Sequence, residues 1–203
     1  MKKTTGRIVA ALALAFAIGL AQTARAASWD WVGKGSGETS YFDEHGNGKG
    51  TTGCWYHSAN TGSTDKFAND NHNFESVGSS TRPSFNSGWD KVVTFRKSSA
   101  MNGNVNIVYS SAPIVFVAEQ PAYGIGGTGN LNLSNSSTLQ IDSGTYSFGC
   151  LQIGTTSGKT ATLVVNGGTV KAVTTYSRLG TSGGSGVLTV KPGGTYDNTS
   201  AGN

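Results

Sequence analysis

The sequence predicts an all-β protein built as a β-solenoid, and three observations carry that expectation. A strand, turn and strand unit is written three times in a row, as "STLQIDSGTY", "ATLVVNGGTV" and "GVLTVKPGGTY". Apolar residues come in short β-branched clusters, not in the Ala, Leu, Glu and Lys runs that make helices. The turns between the clusters carry glycine, which tolerates positive φ where a chain corners sharply.

Aligned residue by residue, the copies place Leu139, Leu163 and Leu188 in one column and Ile141, Val165 and Val190 in the next. After the turn come Thr145, Thr169 and Thr195, then Tyr146, Val170 and Tyr196. Apolar and variable positions alternate, as in a strand with one buried face. Successive copies step by 24 and 25 residues, and a second shared element, "LQIGTTSG" and "SRLGTSGG", sets Gly154 and Gly180 26 residues apart. A period in the twenties with two short strands and Gly corners is too short for a propeller blade and lacks the leucine-rich pattern. It suits one coil of a solenoid. A single coil cannot bury its apolar stripe alone, so it must stack on its neighbours as parallel strands about 4.8 Å apart.

Upstream, residues 91–120 carry four more β-rich runs that read as less regular coils of the same stack. The solenoid is therefore expected over 91–203, clearest at 129–196. Residues 27–90 are polar, Asn-rich and hold all four tryptophans (29, 31, 55 and 89), which suggests an irregular N-terminal cap or lead-in. The last repeat strand would leave an exposed C-terminal edge, a surface for self-association.

Residues 1–26 read as a secretory signal peptide: a basic head, an apolar stretch too short to span a bilayer, and a small-x-small site ending at Ala26. The destination is then secreted or at the cell surface, with no transmembrane segment after cleavage. Lys2, Lys3, Arg7 and Arg25 leave with this segment and no acid does, so 15 − 4 = 11 basic residues balance 11 acidic ones. The basic whole-chain balance is no evidence for nucleic acid, and none is expected as a partner. Cys54 and Cys150 are the only cysteines, an even pair in an exported chain and hence a candidate disulfide worth about 4 to 5 kcal/mol by loop closure. The alternative reading makes Cys150 a small buried hydrophobe.

With the signal peptide, the Trp-rich "SWDWVGKGSG", the strand "WDKVVTF", "GTGNLNLSNSSTLQI" and the "LxIG…LxVxGGTV" repeat, the chain resembles the autotransporter-type passenger repeats of type V secretion and of large bacterial surface proteins. The likeness covers about 89–196. It implies a right-handed parallel β-helix, export across or display on the outer membrane of a bacterium, and a role in adhesion or surface coating. The sequence departs from that pattern in showing no C-terminal series of amphipathic strands for a translocating barrel.

Motifs for chemistry are weak. "GIGGTG" at 124–129 fits a dinucleotide fingerprint, but the strand-like "NLNLSNSS" follows where a helix is needed, so a Gly corner is expected. "DEHGNG" opens like a calcium loop at Asp43, yet His45 and Cys54 stand where the pattern wants oxygen ligands. His57 and His72, the latter near Asp70 and Glu75, lack metal-site spacing and read as loop residues. Neither a cofactor nor a metal is expected. Parallel β-helices also host polysaccharide lyases and hydrolases, but Ser143 to Tyr196 holds no acid, so paired carboxylates would have to come from upstream, for example Asp90 with Glu119 or Asp142. The same span carries Lys159, Lys171, Arg178 and Lys191, which would contact acidic surface glycans if they form one stripe, and otherwise serve solubility. Trp55, Tyr56 and Tyr176 are candidates for sugar stacking. The expectation is a non-catalytic, exported solenoid segment with a structural or adhesive role, a glycan-binding module and a polysaccharide lyase or hydrolase being the alternatives.

Overall fold

A computed structural model describes residues 28–31, 40–43, 54–57, 70–75, 91–109, 112–174 and 177–198. The expected signal peptide lies outside the described residues. Three strands come first: β1 (Ser28–Trp31), β2 (Trp55–His57) and β3 (Asn71–Glu75). Then the chain falls into triplets. These are β4 (Val92–Phe95), β5 (Ser98–Ala100) and β6 (Val105–Tyr109); β7 (Ile114–Ala118), β8 (Gly124–Gly126) and β9 (Leu131–Leu133); and β10 (Thr138–Ile141), β11 (Thr145–Phe148) and β12 (Leu151–Ile153). β13 (Thr160–Val165), β14 (Thr169–Ala172) and β15 (Arg178–Leu179) follow, then β16 (Ser185–Val190) and β17 (Thr195–Asp197).

Each triplet visits three sheets in turn. Sheet A runs β15-β12-β9-β6-β3-β1-β2, sheet B β16-β13-β10-β7-β4, and sheet C β17-β14-β11-β8-β5. All pairings are parallel except β1 with β2. The protein is thus a parallel β-solenoid with three faces. A coil holds one strand more than the repeat suggested, because "LQIG" and its counterparts form strands of only two or three residues in sheet A. Runs that short show no periodicity of their own.

Register follows the sequence columns. Leu139 faces Leu163 and Leu163 faces Leu188, while Ile141, Val165 and Val190 align beside them. In sheet C, Thr145, Thr169 and Thr195 align, as do Tyr146, Val170 and Tyr196. The inward columns are buried wherever a coil lies on both sides, as at Leu139, Ile141, Leu163 and Val165. Gly154 and Gly180 take positive φ, 82° and 74°, just after β12 and β15. A Cβ at Gly154 would also run into the Ser185 carbonyl, so the corner has no room for a side chain.

The stack reaches upstream of residue 91. β3 pairs in parallel with β6, and β1 with β3, so part of the segment expected as irregular supplies rungs of sheet A. Its "NHNFE" alternates an inward His72 and Phe74 with outward asparagines, and packing overrides the poor strand propensity of Asn. β2 turns antiparallel and ends this edge of sheet A. Rings fill that end. Trp31 and Trp55 stand edge to face at 4.9 Å, Phe42 stacks on Phe95 at 4.6 Å, and Phe116 links Phe74 to Tyr146 at 5.4 and 5.5 Å.

The opposite edge is different. The exposed large hydrophobics among the described residues are Leu179 (52%), Val187 (41%) and Val190 (46%), all in the edge strands β15 and β16. Leu179 and Val190 continue inward columns whose earlier members, Ile153 and Val165, are fully buried.

Two predictions follow the core. Val165→Asp places an unpaired charge in a buried column and should cost about 4 kcal/mol or more, whereas Val164→Asp, one residue along and facing outward, should cost about 1 kcal/mol or less. Equal melting curves for the two variants would refute the register. The Tyr146 hydroxyl is buried with no hydrogen-bond partner, and burial, aided by the Asp142 charge, pushes the phenol far above its usual range. The unfolded chain releases this proton above about pH 10 and the folded chain does not, so stability falls as pH rises through that point. Tyr146→Phe should therefore raise stability by roughly 1 kcal/mol and flatten the alkaline limb of a stability–pH curve; a loss of stability at pH 7 would contradict the unpaired hydroxyl.

Candidate functional site

Sheet A carries an organised polar surface. Its strands repeat Asn-x-Asn three times, at Asn71–Asn73, Asn104–Asn106 and Asn130–Asn132. The residue between the asparagines and the one after them point inward: His72 and Phe74, Val105 and Ile107, Leu131 and Leu133 are buried. Alternation therefore turns every asparagine out. Parallel register then lays Asn73, Asn106 and Asn132 side by side, with Gln152 on the next rung and Arg178 on the one after.

The amides lock one another. Asn106 Nδ2 donates to Asn73 Oδ1 and Asn132 Nδ2 to Asn106 Oδ1, both at 2.8 Å. In the parallel column, the backbone N–H of Asn104 donates to Asn71 Oδ1 at 3.0 Å and that of Asn130 to Asn104 Oδ1 at 3.1 Å. The first ladder stops at Asn132, whose Oδ1 is buried and has no donor, since Gln152 does not continue the chain of amides. A buried acceptor left unsatisfied costs about 1 to 3 kcal/mol.

A groove of about 520 Å³ runs over these columns, lined by Asn73, Asn104, Asn106, Asn130, Asn132 and Gln152, with Val108, Ser134 and Thr155 at its margins. Every polar group in that lining is an uncharged amide or hydroxyl. Sequence reasoning placed Asn71 and Asn73 in an irregular segment, and so missed that they share columns with Asn104, Asn106, Asn130 and Asn132. The signal was present, since Asn-x-Asn-x-apolar patterning is strand alternation with amides in the outward places.

The residues singled out from sequence are not gathered into one place. Lys159 lies on the corner before β13, Lys171 in β14 of sheet C, Arg178 in β15 of sheet A, and Lys191 on the corner after β16. They face different sides of the solenoid and form no single stripe. Trp55 is buried in the ring cluster and offers no platform for a sugar. The Tyr56 side chain and Tyr176 lie outside the described residues, as do His45 and Asp90. His72 is a core histidine, its Nδ1 3.0 Å from the Asp70 carbonyl oxygen and its ring against Phe42 and Trp55.

The candidate disulfide is corrected. Cys54 and Cys150 are two buried thiols and no bridge joins them. Cys54 directly precedes β2 and Cys150 directly precedes β12, five strand spacings apart in sheet A, or about 24 Å at roughly 4.8 Å each. A disulfide needs Cα atoms within about 7 Å. The Cys150 thiol donates to the Leu151 carbonyl at 3.6 Å, the small buried residue of the alternative reading.

The carboxylates have structural partners. Asp43 accepts from Arg96 and Lys97 at 3.1 Å. Burial opposes its ionisation, but the hydrogen bonds and charges of Lys97 and Arg96 outweigh that and hold the carboxyl below its usual range. Asp142 Oδ1 accepts from Gln140 at 2.8 Å and from Asn166 at 2.9 Å. Glu119 occupies the same corner one coil earlier, its backbone N–H bonded to Phe95 as that of Asp142 is to Phe116. "GIGGTG" forms β8 and the corner after it, and a Cβ at Gly127 would collide with the Met101 carbonyl of the coil below.

The class these features define is the parallel β-solenoid. Compared with protein-family models, curated proteins and solved structures, the chain matches none.

Proposed function

We propose that this chain is an exported, non-catalytic solenoid segment displayed at a bacterial surface, in a structural or adhesive role of the kind its resemblance to autotransporter passenger repeats implies. One observation carries the reading. Three sheets share a single apolar interior in parallel register, shifted once between Phe74 and Glu75, which makes a stiff rod whose outward side chains recur once per coil. Such a rod presents rows of identical chemistry outward, which is what a coat or an adhesive stalk needs. Its side chains, not its fold, would decide what it holds.

The C-terminal edge supports self-association as part of that role. Leu179 and Val190 extend buried columns into solvent, and β15, β16 and β17 each stand at the edge of a sheet. Unpaired strand edges with apolar columns beneath them favour another coil of like geometry.

Two measurements test the reading. Protease treatment of intact cells expressing the chain should release peptides from residues 91–197, and release only after lysis would rule out display. Light scattering of the purified chain should show oligomers that Leu179→Asp with Val190→Asp reduces to monomer; a monomer before substitution would remove the edge from the account.

A further inference from the structure

We infer that the amide groove on sheet A binds an uncharged polysaccharide, laid across successive coils. This rests on the adhesive reading above and names its ligand class and its site. Three observations converge on the groove.

The first is composition. Amides and hydroxyls line it, with no carboxylate or cation among them. Amide oxygens can ligate a hard cation, but this lining holds no negative charge to offset one, and nucleic acids or acidic glycans call for lysine or arginine, so the lining suits a neutral ligand best. Sugar hydroxyls both donate and accept, and an amide offers two donors and two acceptor lone pairs to match them.

The second is preorganisation. The ladder bonds engage one donor of Asn106 and Asn132 and one lone pair of Asn73 and Asn106, which fixes the amide planes and leaves further capacity on Asn106 and Asn132. The side-chain amides of Asn130 and Gln152 make no hydrogen bond to any described residue, so both are available to a ligand. Amides held in place lose little rotamer freedom on binding, which lowers the entropic cost.

The third is the missing donor. Asn132 Oδ1 is closed off and unpaired at the point where the ladder meets Gln152. A sugar hydroxyl supplies that donor once a neighbouring side chain moves off the atom, and Gln152, on the next rung and with no side-chain bond to a described residue, is free to do so and to bond the same hydroxyl. Rungs recur every 4.8 Å or so, close to the advance of an extended pyranose chain per sugar, so several units engage in parallel. With no aromatic platform in the lining, each contact is weak and binding depends on several rungs acting together.

The test is affinity electrophoresis of the purified full chain in native gels cast with a soluble mixed-linkage β-glucan, a galactomannan or dextran, with polygalacturonate as the charged comparison. Retardation in at least one neutral gel, unchanged by added salt, is expected. The pair Asn130→Ala with Gln152→Ala should weaken it at least fivefold, and Lys159→Ala with Lys191→Ala should leave it unchanged. Neither amide of the first pair bonds to a described residue, so circular dichroism should match the parent; Thr155→Trp, which narrows the groove, gives an independent second variant. Migration unaffected by every neutral gel, retardation that survives both groove variants, or retardation confined to polygalacturonate and lost in salt would each overturn the assignment. Loss of binding alongside protease release from intact cells would sink the groove alone. Binding without surface release would sink the display reading and leave the groove standing.

Discussion

Everything in this molecule depends on strict parallel register between coils. One coil carries a handful of apolar side chains and no interior of its own, so Leu163 is buried only because Leu139 and Leu188 lie on either side of it. Alternation makes this unforgiving, because a slip of one residue would turn every inward column out. Like residues are therefore forced onto like. The same lock that stacks leucines inside stacks asparagines outside, which is how Asn73, Asn106 and Asn132 come to share hydrogen bonds across residues 33 and 26 positions apart in the chain. The candidate site is a by-product of the core register.

The two ends of the stack differ in what fills them. Near the N-terminus, tryptophan and phenylalanine rings occupy the interior and an antiparallel strand closes sheet A. Toward the C-terminus the same columns pass to Ile153 and Val165, then to half-exposed Leu179 and Val190. Inward side chains become smaller and then more exposed in that direction, so opening of the stack should begin at β15 to β17 and move inward. Gln152, the last member of the amide columns before Arg178, sits one coil in from this edge. The groove is thus built mainly on the better-packed part of sheet A.

Much of the architecture was legible because it lies in long-range repetition, which a sequence shows directly. The columns Leu139–Leu163–Leu188 and Thr145–Thr169–Thr195 align in space as they align in text. What escaped has physical reasons. The third strand of each coil is two or three residues long in β9, β12 and β15, too short to show a period. The cysteine pair looked connectable because sequence carries no distance along a stack. Basic residues that looked like a stripe in the text are dealt to different sides, because a dozen residues is enough chain to pass from one sheet to the next. Asn71 and Asn73 were read by propensity, and propensity misleads where tertiary packing of the alternate residues fixes the strand.

Because the interior is shared, the three outer faces are free to differ, and they do. Sheet B turns out Val92, Val115, Gln140 and Val164, sheet C its threonine column, and sheet A its amides. A substitution on one face leaves the columns beneath untouched, so surface chemistry can change without penalty to the fold. Among the described residues, Asn166 and Asp142 share one side-chain bond between coils at a corner, whereas the amide face carries two such bonds in succession along one column and lines a groove. Solubility requires polar side chains on the outside but does not require them to be locked to one another. Side-chain order of that kind spends entropy that a merely solvated surface would keep, and it is recovered where a ligand meets amides already aligned.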